Sequence, residues 1–140
     1  MNENQMPHCA NSILLCLDLE ESSRELAEFC RDCAEHWNYP VHVIHIHGDG
    51  GQDIEDVESD LSIIVDEILH NLRAPVVKML KGLPEEAIIE NAKEKMSNPI
   101  IMLGRRKCRI ADRIYVGSTT SAVISLSPYP VLVVPLNTFK

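Results

Sequence analysis

Apolar runs alternate with helical patterns five times along this chain, and that alternation restricts the fold more than any other feature. The first run is Ile13-Leu14-Leu15-Cys16-Leu17, closed by Asp18. It is apolar at successive positions rather than at every second one, which suits a strand covered on both faces. The second run is Val41 to His47, the third Pro75 to Leu80, the fourth Ile100-Ile101-Met102-Leu103 before Gly104, and the fifth Val131 to Val134.

Helical spacing fills the intervals. Ser22 and Glu25 stand at a capping-box spacing, and Leu26, Cys30, Cys33 and Trp37 follow on one stripe, which predicts a helix over 22–37 ended by Tyr39-Pro40. Gly48-Asp49-Gly50-Gly51 reads as a loop. Ile54, Val57, Leu61, Ile64, Val65, Ile68 and Leu72 define a second amphipathic helix with an acidic outer face. After Gly82, Pro84 suits a first helical position, and Ala87, Ile88, Ala92 and Met96 form an inner face as far as Asn98-Pro99. Residues 118–127 predict a short last helix, with Ala122, Val123 and Leu126 inward, stopped by Pro128-Tyr129-Pro130. Strands that alternate with helices predict an α/β fold: an open, doubly wound five-stranded parallel sheet with helices on both faces. With 140 residues the chain suits one domain over 12–140, behind a polar tail over 1–11.

Composition narrows the function. The net charge of −8 argues against nucleic acid as a partner, because an acidic surface repels a polyanion. The charge is unevenly spread: residues 93–113 carry +5 and the other 119 residues −13. The basic side chains are Lys93, Lys95, Arg105, Arg106, Lys107, Arg109 and Arg113, an island suited to an anion. No apolar run approaches the roughly 20 residues needed to span a bilayer, and the polar start is no secretory signal. Five cysteines, Cys9, Cys16, Cys30, Cys33 and Cys108, at irregular spacing read as reduced thiols of a cytoplasmic protein.

In such folds ligands bind beyond the carboxyl ends of the strands. Asp18, His45 with His47, and Gly104 all fall there. Gly104 can let a ligand approach the backbone. Gly117-Ser118-Thr119-Thr120 then opens a helix, whose free N–H groups and dipole suit phosphate, with hydroxyls and the basic stretch 105–116 nearby. The same pattern also fits a glycine turn with an ordinary serine cap and basic residues that solvate a loop.

Other motifs carry less. His45 and His47 share one strand face and His42 the other, too few ligands for a metal. Cys30 and Cys33 form a Cys-x-x-Cys late in a helix, on its apolar stripe, which fits core packing rather than redox chemistry. Asp53, Glu55, Asp56, Glu58 and Asp60 form a helix start and its wet face. There is no nucleophile elbow and no His-Glu-x-x-His, so no catalytic residue is assigned.

These segments together resemble the universal stress protein family, over about residues 12 to 136. The resemblance rests on Ile13 to Asp18, Val43-Ile44-His45-Ile46, Ile100 to Gly104, Gly117-Ser118, and Pro130 to Pro135. It implies the fold that these proteins share with adenine nucleotide alpha hydrolases. Nucleotide-binding members carry Gly-x2-Gly-x9-Gly-Ser/Thr; here Gly104 is followed by Lys107 in place of the second glycine, then nine residues, then Gly117-Ser118. The resemblance implies an ATP site, with Mg²⁺ accompanying the nucleotide. Asp18 would lie near ribose and phosphates, the Ile46 backbone near adenine, and Leu103 and Gly104 beside ribose and phosphate. Gly117, Ser118, Thr119 and Thr120 would cradle phosphate, with Leu17, Arg106 and Lys107 alongside. Histidine is common at the position of His45.

Lys107 departs from the pattern. At a dihedral suited only to glycine it would cost about 1 kcal/mol or more. Its side chain either fills the room that a glycine leaves or meets phosphate as a point charge. The family also implies a homodimer through the last strand, Val131, Leu132, Val133 and Val134, which as a sheet edge would otherwise expose unpaired backbone groups. The expected function is a regulatory ATP-binding stress protein. The alternatives are an interaction module of the same fold without nucleotide, and slow ATP hydrolysis or phosphotransfer.

Overall fold

The centre of the molecule is a strand whose three middle side chains are shielded from water. Ile13, Leu14 and Leu15 of β1 (Ser12–Cys16) are all 0% exposed, so both faces of this strand are covered. The computed structural model describes residues 10–19, 22–47, 53–72, 75–107, 114–115 and 117–139. The chain continues through α1 (Ser23–Trp37), β2 (Val41–His47), α2 (Ile54–Ile68), β3 (Val76–Lys81), α3 (Pro84–Lys95), β4 (Pro99–Lys107), β5 (Ile114–Tyr115), α4 (Ser118–Leu126) and β6 (Val131–Phe139).

Five strands are parallel, in the order β3-β2-β1-β4-β6, and the two-residue β5 pairs antiparallel with β4. Odd-numbered side chains of β1 face α1 and α2, where Ile13 and Leu15 pack with Leu26, Ala27, Cys30, Leu61 and Ile64. Leu14 faces the other way and packs with Ile44, Ile88, Ala92, Ile101 and Val123, against α3 and α4. The doubly wound parallel sheet with helices on both faces is therefore the observed architecture.

Boundaries differ from expectation in ways that matter for function. β4 does not stop at Leu103; it runs on through Gly104 to Lys107, and β6 extends with it to Phe139. The two lengthen together because each supplies the other's backbone partners, from Ile101↔Val131 to Lys107↔Phe139. Pro135 does not end β6. A proline lacks only its own N–H, and on an edge strand that position can face away from the ladder. The start of the basic stretch, expected as loop, is thus strand. Its later part, residues 108–113 and 116, lies outside the described residues, as do the Gly48–Gly51 loop, Cys9 and Cys108. Of the polar tail, only Ala10 and Asn11 are described.

Smaller corrections follow from the helices. Ser22 makes no side-chain capping bond, although its carbonyl accepts from the Leu26 N–H at 3.1 Å. The α1 terminus is set instead by Asn38 in the left-handed region (φ 58°), where asparagine is tolerated, with the Tyr39 N–H donating to the Ala34 carbonyl. Trp37 is half-exposed rather than inward and lies 5.5 Å from the Tyr39 ring. The second helix ends at Ile68, short of Leu72, which still packs on the core. Leu126, expected inward, is 59% exposed, because the nine residues of α4 end before another turn can return it to the sheet.

Candidate functional site

The carboxyl end of β1 is held by two side chains from different elements. His45 of β2 places Nδ1 at 2.8 Å from the Leu17 carbonyl oxygen. A carbonyl can only accept, so Nδ1 carries the proton and Nε2 is left for other partners. The Ser23 hydroxyl, at the first position of α1, donates to Asp18 Oδ1 at 2.9 Å. Between them Leu19 adopts φ 61°, a left-handed conformation that costs a leucine about 1–2 kcal/mol. The strain sits one residue from the Asp18 carboxylate, where the chain leaves the sheet.

Across the sheet lies the amino end of α4. Gly117 precedes the helix with extended backbone, and the first intrahelical bond runs from the Ser121 N–H to the Gly117 carbonyl. The N–H groups of Ser118, Thr119 and Thr120 therefore have no partner within the helix. They carry the positive end of the helix dipole.

A cavity of about 390 Å³ opens between these two ends. That volume is within the range of small-molecule sites. Its lining falls into three parts. Cys16, Ile44, Ile46, Pro84, Ile88 and Leu103 make an apolar slot; Asp18, Ser22, Ser23 and His45 make a polar wall; Arg105, Gly117, Ser118, Thr119 and Thr120 make an end rich in donors. Nine residues singled out from the sequence are brought together here: Leu17, Asp18, Ile46, Leu103, Gly104, Gly117, Ser118, Thr119 and Thr120. Arg106 and Lys107 follow on β4, and only their backbones are described. His47 is not in the lining.

Gly104 lines the cavity and also serves the packing behind it. A Cβ built there would meet Leu136 Cδ1 at 2.5 Å and Leu26 Cδ2 at 3.5 Å. The space a side chain would take is filled by the buried Leu136 of β6, so the missing Cβ serves the packing of two strands. Lys107 is the last residue of β4 and follows a register shift between β4 and β6.

Sequence reasoning overlooked several lining residues. Ser23 was missed because the capping-box spacing drew attention to Ser22. Leu136 was missed because Pro135 looked like a stop. Pro84 and Ile88 carried only a helix-start and a core-face signal, and nothing in the sequence turns either toward a ligand.

The three described thiols show no sign of activation. Burial pushes the Cys30 thiol up to about 12, with the Cys33 thiol adding to the effect, and raises Cys33 and Cys16 as well. Cys16, Cys30 and Cys33 are free. Among the described residues, no three His, Cys, Asp or Glu side chains converge to hold a metal ion, and no helix is long and apolar enough to cross a membrane.

Comparison with known proteins gives the site a context. The universal stress protein family model matches residues 10–135. A universal stress protein from Archaeoglobus fulgidus superposes with a TM-score of 0.68 at 23% identity, covering 92% of this chain and 100% of its own. A universal stress protein in complex with cAMP superposes at 0.71 with 17% identity, covering 91% and 98%. An Archaeoglobus fulgidus universal stress protein in complex with dAMP gives 0.62 at 22% identity, covering 90% and 97%. No curated protein sequence matches the chain significantly.

Proposed function

The chain belongs to the universal stress protein family, and on that premise we propose that it binds an adenine nucleotide as a regulatory ligand in the cavity between Asp18 and the start of α4. The observation that carries this reading is the three-part lining. The apolar slot suits a planar base, the Asp18–Ser23 pair suits ribose hydroxyls, and the unpaired N–H groups of Ser118, Thr119 and Thr120 with Arg105 suit phosphate. Two relatives of the same fold are described with cAMP and with dAMP, which supports the choice of adenine. ATP with Mg²⁺ is the ligand form that the family resemblance implies for this cavity, with Asp18 as the carboxylate nearest the phosphates.

The reading is of a binding protein, with no residue assigned to turnover and at most slow hydrolysis or phosphotransfer. It treats 12–140 as one domain behind the tail 1–11. Three free thiols support a reducing, cytoplasmic setting. A homodimer through β6 also belongs to it. Among the described residues this strand pairs only with β4, and Val131, Leu132 and Val133 are partly exposed.

Thermal unfolding in the presence of nucleotide tests the central claim. Ligand at 100 times its Kd stabilises the native state by about 2.7 kcal/mol. A rise in Tm with adenine nucleotide, absent with the corresponding guanine nucleotide, is the expected result. No shift at millimolar adenine nucleotide would sink the proposal and favour a nucleotide-free interaction module. Light scattering after size exclusion tests the dimer: the dimer mass is expected, and a charged substitution such as Val133→Lys should give the monomer.

A further inference from the structure

Leu17, which carries the chain from β1 to the cavity, is held to β2 by both of its backbone groups. Its N–H donates to the Ile44 carbonyl at 3.0 Å, and its carbonyl accepts from His45 Nδ1 at 2.8 Å. The second bond uses a side chain where the ladder would use backbone, and it fixes more than the strand end. In a neutral imidazole one nitrogen donates and the other accepts. With the proton on Nδ1, Nε2 is an acceptor, and the bond to Leu17 also sets the orientation of the ring.

His45 and Ile46 are successive residues of β2 and point to opposite faces of the sheet. Both line the cavity, which therefore straddles the end of this strand. The strand order then decides how a nucleotide can lie. α4 packs on β4 and β6, and Arg105 belongs to β4, so the phosphate end is at β4. Asp18 follows β1, which stands between β4 and β2. A ligand with its phosphate at α4 and its ribose at Asp18 carries its base on to β2. There Ile44 and Ile46 meet Pro84 and Ile88 of α3, a helix that packs on the same strand. The base in this slot has its edge at the strand end that His45 occupies.

An acceptor at that point distinguishes purines by their six-position. Adenine has an amino group there, which donates; guanine and hypoxanthine have a carbonyl oxygen, which can only accept. The amino group completes Nε2, whereas the carbonyl sets two acceptors against each other and leaves both unpaired away from water. Resting on the nucleotide-binding reading above, we infer that His45 is a specificity-determining residue: its Nε2 accepts a hydrogen bond from the exocyclic amine of adenine, and the Leu17 carbonyl keeps that nitrogen an acceptor.

Isothermal titration of the full chain at pH 8 with AMP, inosine 5′-monophosphate and purine riboside 5′-monophosphate tests this. The three share ribose and phosphate and differ only at the six-position, which carries an amine, a carbonyl or a hydrogen. AMP is expected to bind roughly tenfold or more tightly than inosine monophosphate, with purine riboside monophosphate between them. Inosine monophosphate or purine riboside monophosphate binding as tightly as AMP would overturn the inference without any variant and leave nucleotide binding standing. Absence of binding by all three would overturn both readings. In His45→Phe, shown to be folded by circular dichroism and Tm, the three affinities should converge, whatever their common level. A role confined to holding Leu17 would instead lower all three together with their ratios intact, and that result would overturn the inference.

Discussion

The Ser23 hydroxyl donates to Asp18 Oδ1 at 2.9 Å across the turn that joins β1 to α1. Ser23 is buried and Asp18 exposed, so the bond fixes a solvent-facing carboxylate from within. Ser23→Ala should cost about 1 kcal/mol of stability, the net value of one such hydrogen bond. Its larger effect should be on nucleotide affinity, as the carboxylate loses its orientation. Urea unfolding and titration with AMP on the same variant separate the two. Unchanged affinity would mean that Asp18 does not meet the ligand.

Gly104 and Leu136 should be energetically coupled. Gly104→Ala drives its Cβ against Leu136 Cδ1 at 2.5 Å, and overpacking of this kind costs about 1–3 kcal/mol. Leu136→Ala alone opens a cavity in the α1-facing core and costs about 2–5 kcal/mol. The double variant should lose less than the two losses combined, because each change relieves the other. Additive losses in urea unfolding would show that Leu136 does not occupy the glycine's space.

His42 should make the fold sensitive to acid. It lies on the α3-facing side of β2, and burial lowers its pKa, with the Lys78 ammonium adding to the effect; its Nδ1 is buried without a hydrogen-bond partner. The unfolded chain takes up a proton at the usual value of about 6.5 and the folded chain only below it. The unfolded state therefore binds more protons in that interval, and stability is full above pH 6.5 and falls as pH drops through it. Tm measured from pH 8 to pH 5 should fall less steeply in His42→Leu than in the unaltered protein. Parallel curves would exclude His42 as a source.

The thiols should react in the order of their burial. At pH 8, iodoacetamide followed by peptide mass mapping should label the partly buried Cys33 slowly and leave the buried Cys30 untouched until the protein unfolds. Recovery of a Cys30–Cys33 disulfide from mildly oxidised native protein would contradict their role as packing residues.

Much of this was legible before the coordinates. Five runs of unbroken apolar residues located the parallel strands because a strand covered on both faces has no polar side to show. Asp18, Gly104 and Gly117 could be placed at one end of the sheet because each ends a run or begins a helical pattern. What escaped depends on partners distant in sequence. Ile114-Tyr115 is too short to carry any periodicity, so β5 exists only through β4. The space beside Gly104 belongs to Leu136, 32 positions away in the chain. Ser23 and Ser22 are indistinguishable until the turn at Leu19 decides which hydroxyl reaches Asp18.

The packing of Leu136 beside Gly104 ties the cavity to the interior of the sheet. Both residues line the cavity, and Leu136 belongs to the α1-facing core. A substitution made there to reshape the floor of the site is therefore also a substitution in the core, so affinity and stability move together at this point of the fold.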